Sequence, residues 1–260
     1  MVRRAPMTSL QTRAIPLVLA CLALAAVPAA AIAKKTFGID VSRFQEKIDW
    51  KKAKKDGVKF AFVQASRGDG KNCFTVASDC GRDKFYDRNY DEAKAQGIPV
   101  GAYHRAFYNG GDKKDAKKEA KKQAKIFIKE VGSLKKDDLK PVLDFESNGG
   151  NSEFEGYDKK SLITWTQTWL DEVEDALGSK PMIYTNNSSW QATGDTKQFA
   201  DDGYLLWVAD FDANKPLVPA GNWGGKGYSV WQYSSTGHVD GIDGSVDENR
   251  AKVGINKLGA

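Results

Sequence analysis

Histidine and cysteine are scarce in this chain of 260 residues, with two of the former and three of the latter. Neither histidine, His104 or His238, lies near Cys73 or Cys80, so no zinc-ligand spacing exists and neither metal nor cofactor is expected. Internal repeats, low-complexity linkers and any second-domain boundary are also missing, and one large domain with a substantial core fits the length. No recognised nucleic-acid motif is present, which argues against a nucleic-acid partner. Acids are absent from the first 33 residues.

Those 33 residues read as a leader rather than as part of the fold. Arg3, Arg4 and Arg13 form a basic start, Ile15 to Val27 an apolar stretch short for a bilayer span, and Ala31-Ile32-Ala33 a cleavage site. An uncleaved amphipathic anchor is the plain alternative. A lipoprotein signal ending at Cys21 fits Val18-Leu19-Ala20-Cys21 loosely, but the apolar stretch before it is too short to favour that reading. The expected boundaries are a signal peptide over 1–33 and a single domain over 34–260, giving a secreted or periplasmic protein without stable membrane insertion. Export leaves Cys73 and Cys80 as an even pair in an oxidising compartment, expected to close a short polar loop as a disulfide. Removing three arginines takes the formal charge from +5 to +2.

What is there is unevenly spread. Lys113, Lys114, Lys117, Lys118, Lys121, Lys122 and Lys125 crowd one segment, while Ala116, Ala120, Ala124, Phe127 and Val131 recur through it at helical spacing. The pattern is an amphipathic helix whose lysine face is either simply solvated or weakly attractive to an anionic polymer.

Strand-like runs alternate with helical segments. Strands are expected at 36–42, 59–66, 98–107, 141–146, 180–186, 204–211, 228–234 and 239–247, with helices at 50–56, 86–96, along the lysine segment and at 158–177. Alternation over eight strands implies an α/β fold, an irregular (β/α) barrel of about eight strands. Its last third is poor in helices, so the final strands can pair antiparallel.

In such barrels the chemistry gathers at the C-terminal strand ends. The fourth strand ends Leu143-Asp144-Phe145-Glu146, where alternation points Asp144 and Glu146 to one face, roughly 6–7 Å apart at the backbone. Two acids so placed can share a glycosidic bond, or can merely solvate a strand end or cap the next helix. Other strand ends supply Asp40, Asp210, Asp243 and Asp247, accompanied by Tyr103, Tyr184, Trp207, Trp231 and Tyr233. Acids beside aromatic platforms suit a carbohydrate, although the same aromatics can be core.

The order of motifs resembles family-25 glycoside hydrolases, lysozymes of the N,O-diacetylmuramidase type. The likeness runs from Gly38-Ile39-Asp40-Val41-Ser42 through Phe62-Val63-Gln64-Ala65-Ser66, Gly101-Ala102-Tyr103-His104 and Leu143-Asp144-Phe145-Glu146. It continues through Ile183-Tyr184-Thr185-Asn186, Leu206-Trp207-Val208-Ala209 and Val230-Trp231-Gln232-Tyr233-Ser234 to Gly241-Ile242-Asp243-Gly244-Ser245-Val246-Asp247.

The resemblance implies a flattened barrel that cleaves the β-1,4 bond between N-acetylmuramic acid and N-acetylglucosamine, acting as a monomer on peptidoglycan strands. It implies Glu146 as general acid/base, with Asp144, Asp40 and Asp247 completing an acidic pocket whose neighbouring anions raise the pKa of the proton carrier. Tyr103, Tyr184, Trp207, Asp210, Trp231 and Tyr233 are the expected substrate-binding residues. A D-x-E pair facing a 2-acetamido sugar favours a retaining route in which the substrate's own acetamido oxygen attacks. Rival readings are a lectin-like barrel and a hydrolase of chitin-like polymer. The chain departs from the family pattern at Gln64, where lysine is common, and at Arg67, where Glu is frequent. Further departures are Arg105, Phe211 and Glu248.

Overall fold

The computed structural model describes Met1 and residues 36–71, 80–147, 158–211 and 213–260. The chain divides into Met1–Ile32 and Ala33–Ala260, and the second unit carries every element below. The expected leader and Cys73 lie outside the described residues, so the leader boundary and the Cys73–Cys80 pairing remain expectations.

Among the described residues, nine strands form one sheet: β1 (Thr36–Val41), β2 (Ala61–Arg67), β3 (Gly81–Arg82), β4 (Val100–Arg105), β5 (Val142–Asp144), β6 (Met182–Asn186), β7 (Leu205–Ala209), β8 (Val230–Gly237) and β9 (Val246–Ala251). The order β1-β9-β8-β7-β6-β5-β4-β2 closes through a parallel β1–β2 ladder into an eight-stranded barrel, and β3 is added antiparallel outside β2. Strands β1, β2 and β4 to β8 run parallel, whereas β9 is antiparallel to both its neighbours.

The last expected strand is shifted. Residues 239–245 form a turn, with Gly241 at φ +93° and Gly244 at φ +81°, and pairing starts only at Val246. Glycine supplies the left-handed backbone that reverses the chain there.

Among the described residues, seven α-helical segments connect the strands: α1 (Trp50–Lys55), α2 (Tyr86–Ala95), α3 (Lys113–Val131), α4 (Lys159–Leu177), α5 (Asn187–Gln191), α6 (Gln198–Asp201) and α7 (Pro219–Gly224). The two long ones start where an aspartate caps the first turn. Asp112 accepts from the Lys114 and Asp115 amides, and Asp158 from that of Lys160. Gly178 closes α4 in the left-handed conformation. The alanine stripe of α3 is fully buried against the apolar face of α4, where Leu162, Trp165, Trp169 and Val173 lie. Segment α7 is wound left-handed, with φ of +50° to +60° at Ala220, Gly221, Asn222 and Trp223. The Ala220 amide is anchored on Asp195, and the Trp223 indole on the Tyr204 carbonyl.

The sheet separates two cores. Outside it, Ile39, Val63, Leu143, Ile183 and Val208 pack against the helices. Inside it, Phe60, Phe62, Tyr103, Met182, Tyr184 and Trp207 fill the barrel. Room for the two phenylalanines comes from glycine. A Cβ at Gly38 would stand 2.4 Å from the Phe60 ring, and one at Gly101 2.5 Å from that of Phe62. The barrel is thus plugged at one end and open where the parallel strands terminate.

Candidate active site

Strict alternation selects what faces the opening. On β5, Val142 and Asp144 point inward while Leu143 and Phe145 join the outer core. Glu146, two residues on, lines the same cleft as Asp144. Strand β1 contributes Asp40, and its antiparallel partner β9 contributes Asp247 in direct register with it. The four carboxylates therefore meet at the wall of one cleft of about 660 Å³, with Tyr103, Tyr184 and Trp207 beneath them.

Each acid is held differently. Asp40 Oδ2 accepts from Gln232 Nε2 at 2.9 Å and from Asn249 Nδ2 at 2.7 Å. Asn249 is oriented in turn by the Trp207 indole, which donates to its Oδ1 at 2.8 Å, and Gln232 by the Tyr184 hydroxyl at 2.7 Å. That hydroxyl also stands 3.4 Å from Glu146 Oε2. Arg105, at the end of β4, brings its Nε to 3.4 Å from Glu146 Oε1 and 3.7 Å from Asp144 Oδ2. Asp144 Oδ1 is buried and has no hydrogen-bond partner among the described residues. The Glu146 side chain is the more open of the pair, 26% exposed against 9% for Asp144.

Crowded, buried anions hold protons. Burial first, then the charges of Asp247 and Asp144, push Asp40 well above the usual carboxylate range, against the pull of its two amide donors. Burial and the Glu146 charge do the same for Asp144, opposed by Arg105 and Arg67. Asp247 is pushed up to about 6 by burial and by Glu146. Burial and the same acids raise Tyr103 and Tyr184, which stay neutral hydroxyl donors. The three aspartates therefore hold their protons to higher pH than free carboxyls do.

Not every expected residue lines this cleft. Trp231 and Tyr233 sit on β8 with outward parity, and it is Gln232 between them that faces the barrel. The Trp231 ring is 2% exposed and its indole donates to the Asp210 carbonyl, leaving no face for a sugar. Tyr233 lies under Arg250, whose guanidinium is 3.9 Å from its ring centroid. Asp210 accepts from the Leu217 amide and borders a shallower depression that adjoins Glu146 and Phe211. Asp243 falls in the exposed turn before β9. Sequence reasoning overlooked Gln232 and Asn249, which position Asp40, and the exposed rim ring Phe44, and met Phe211 only as a departure from the family pattern. Period-two counting from Val230 would have found Gln232. Among the described residues, no cluster of His, Cys, Asp and Glu has the arrangement to hold a metal ion.

Comparisons with known proteins agree with this architecture. The family model described as glycosyl hydrolases family 25 matches residues 39–242. Lysozyme M1 of Streptomyces globisporus is 31% identical over 218 residues, 82% of this chain and 66% of that protein. The chain thus spans about two thirds of the length of that relative. The N,O-diacetylmuramidase of Chalaropsis sp is 28% identical over 217 residues, 81% of this chain and 95% of that protein. Among solved structures, the bacterial lysozyme from Streptomyces coelicolor superposes with a TM-score of 0.73 at 30% identity, covering 87% of this chain and 96% of its own. With a matching family model over most of the barrel and a relative above 30% identity, the chain belongs to glycosyl hydrolase family 25.

Proposed function

We propose that this protein is an exported muramidase that hydrolyses the β-1,4 bond between N-acetylmuramic acid and N-acetylglucosamine in peptidoglycan. Glu146 is the proton carrier: its carboxyl protonates the leaving glycosidic oxygen, and its carboxylate then takes a proton from the incoming water. Asp144 directs the substrate's 2-acetamido group. The amide oxygen attacks the anomeric carbon to give a cyclic oxazolinium ion, which water opens with net retention.

The observation that carries this reading is the orphaned Asp144 Oδ1, buried beside Glu146. A buried acceptor without a donor is unfavourable until a ligand supplies one, and an acetamido N–H is a donor of the right kind. Asp40 and Asp247, both raised, share the pocket's protons. The rims at Phe44, 71% exposed, and Phe211, 43% exposed, offer apolar faces for sugar rings.

Export rests on the leader-like 1–33 segment, and no helix among the described residues is long and apolar enough to cross a membrane. Monomeric action on glycan strands completes the proposal.

Glu146→Gln removes the transferable proton while keeping the shape. Clearing of a peptidoglycan suspension should slow by about 10³-fold with an unchanged melting temperature. Activity within tenfold of the parent would remove Glu146 from the mechanism.

A further inference from the structure

One wall of the cleft is cationic. Arg67 ends β2, Arg105 ends β4, and the two stand in register on adjacent parallel strands. Alternation from the inward-facing Phe62 and Gln64 would turn Arg67 outward. The ladder instead slips between Gln64 and Ser66, leaving Ala65 as a bulge. Beyond it, Ser66 returns to the outer face, where its hydroxyl meets His104, and Arg67 enters the cleft. A bulge beside an active site re-aims a side chain, and here it aims a guanidinium.

The two arginines are unequally served. Arg105 faces Glu146 and Asp144 and donates to the Ala106 carbonyl. Arg67 is 6% exposed, and its Nε is buried without an acceptor among the described residues. Its cationic head leans on the Phe107 ring at 5.2 Å. Burial, followed by repulsion from Arg43 and Arg105, lowers its pKa to about 10, still high enough to keep it charged at neutral pH. A buried cation with an unused donor, opening on a cleft, is complementary to an anion delivered by the ligand.

We propose that Arg67, backed by Arg105, forms a subsite for a carboxylate carried by the muramic residue of the glycan. The inference rests on the muramidase reading and extends it. That residue can present a carboxylate from its lactyl group, when no peptide is attached, or from the stem peptide, when one is. Guanidinium hydrogen bonding suits either. A neutral chitin-like strand offers neither.

Three tetrasaccharides of alternating N-acetylglucosamine and N-acetylmuramic acid separate the cases. One carries unsubstituted lactyl carboxylates, one neutral lactyl carboxamides, and one short stem peptides with a terminal carboxylate. The parent should show a kcat/KM at least about tenfold higher on a carboxylate-bearing substrate than on the carboxamide. The better of the two carboxylate substrates identifies the source. In Arg67→Gln that ratio should collapse toward unity, and Arg67→Lys should restore part of it. Cleavage of all three at equal rates by the parent, or a ratio unchanged in Arg67→Gln, would overturn the subsite and leave the muramidase reading standing. No cleavage of any would overturn both.

Discussion

Strand β4 shows the two faces of the barrel side by side. Its Tyr103 and Arg105 enter the cleft, and His104 between them enters the outer layer under α3 and α4. Both environments are buried and polar, but they are finished differently. Outside, His104 Nδ1 meets the Ser66 hydroxyl at 2.8 Å and its Nε2 meets Gln123 Oε1 at 2.9 Å. Gln123 also accepts from the Phe107 amide and donates to the Phe107 carbonyl. Inside, among the described residues, Gln64 Oε1, Arg67 Nε and Asp144 Oδ1 lack partners. The outer layer has orphans too, the Trp165 and Trp169 indole nitrogens, but those are weak single donors on large rings, whereas the inner ones include charged groups lining a cleft. A buried polar network that is complete stabilises, and one that is left incomplete awaits a ligand. The difference lies in the groups around β4: the His104 network is closed on itself, while the charged groups beside Tyr103 and Arg105 open on a cleft.

The largest effect is expected inside the barrel. Asp144→Asn should reduce kcat by about 10² to 10³-fold, with a smaller change in KM, because the acetamido nucleophile loses its guide. Mass spectrometry of the intact variant during turnover checks the role. Accumulation of a covalent sugar on another carboxylate would show an enzyme nucleophile instead.

The outer network should respond in stability. Gln123→Leu strands the His104 ring nitrogen and both backbone groups of Phe107, and should cost about 2–4 kcal/mol in urea unfolding. His104 adds a pH signature. Burial lowers its pKa from 6.5 to about 4, so the folded state resists a proton that the unfolded chain accepts. Its contribution is whole above pH 6.5 and is lost as pH falls toward 4, by about 3 kcal/mol in total.

The inner acids carry the opposite sign. Asp247 is raised from 3.8 to about 6, so its charge weakens the fold above pH 6 and ceases to do so below about pH 4. Asp247→Asn should therefore stabilise by about 1–2 kcal/mol at pH 7, a gain that vanishes near pH 4. A loss of stability at pH 7 would contradict the claim that this acid is held at the expense of the fold.

Much of this was legible in the sequence where period and capping agree. Helices α1 to α4 lie where apolar spacing and terminal glycines place them, three of them opening on an aspartate cap, and seven of the eight expected barrel strands coincide with observed ones. The meeting of Asp40, Asp144 and Glu146 followed from their strand-end positions, whereas Asp247 joins them because it opens the antiparallel β9 opposite Asp40 rather than closing a strand over 239–247. Three things were hidden. Trp231 and Tyr233 drew attention as aromatics although parity favoured Gln232. The bulge at Ala65, which sends Arg67 inward, is a property of pairing between strands rather than of either strand alone. The left-handed turn at 220–224 includes Ala220, Asn222 and Trp223, residues with no local preference strong enough to announce it; their contacts with Asp195 and Tyr204 impose it.

The most direct test of the account is the identity of the sugar left at each new reducing end. Purified protein is incubated with peptidoglycan and, separately, with chitin oligomers; the products are reduced with borohydride and analysed by mass spectrometry. Reduced muramic acid is expected from peptidoglycan, with no comparable cleavage of chitin. Reduced N-acetylglucosamine at the new ends, preferential cleavage of chitin, or binding without any new ends would contradict it.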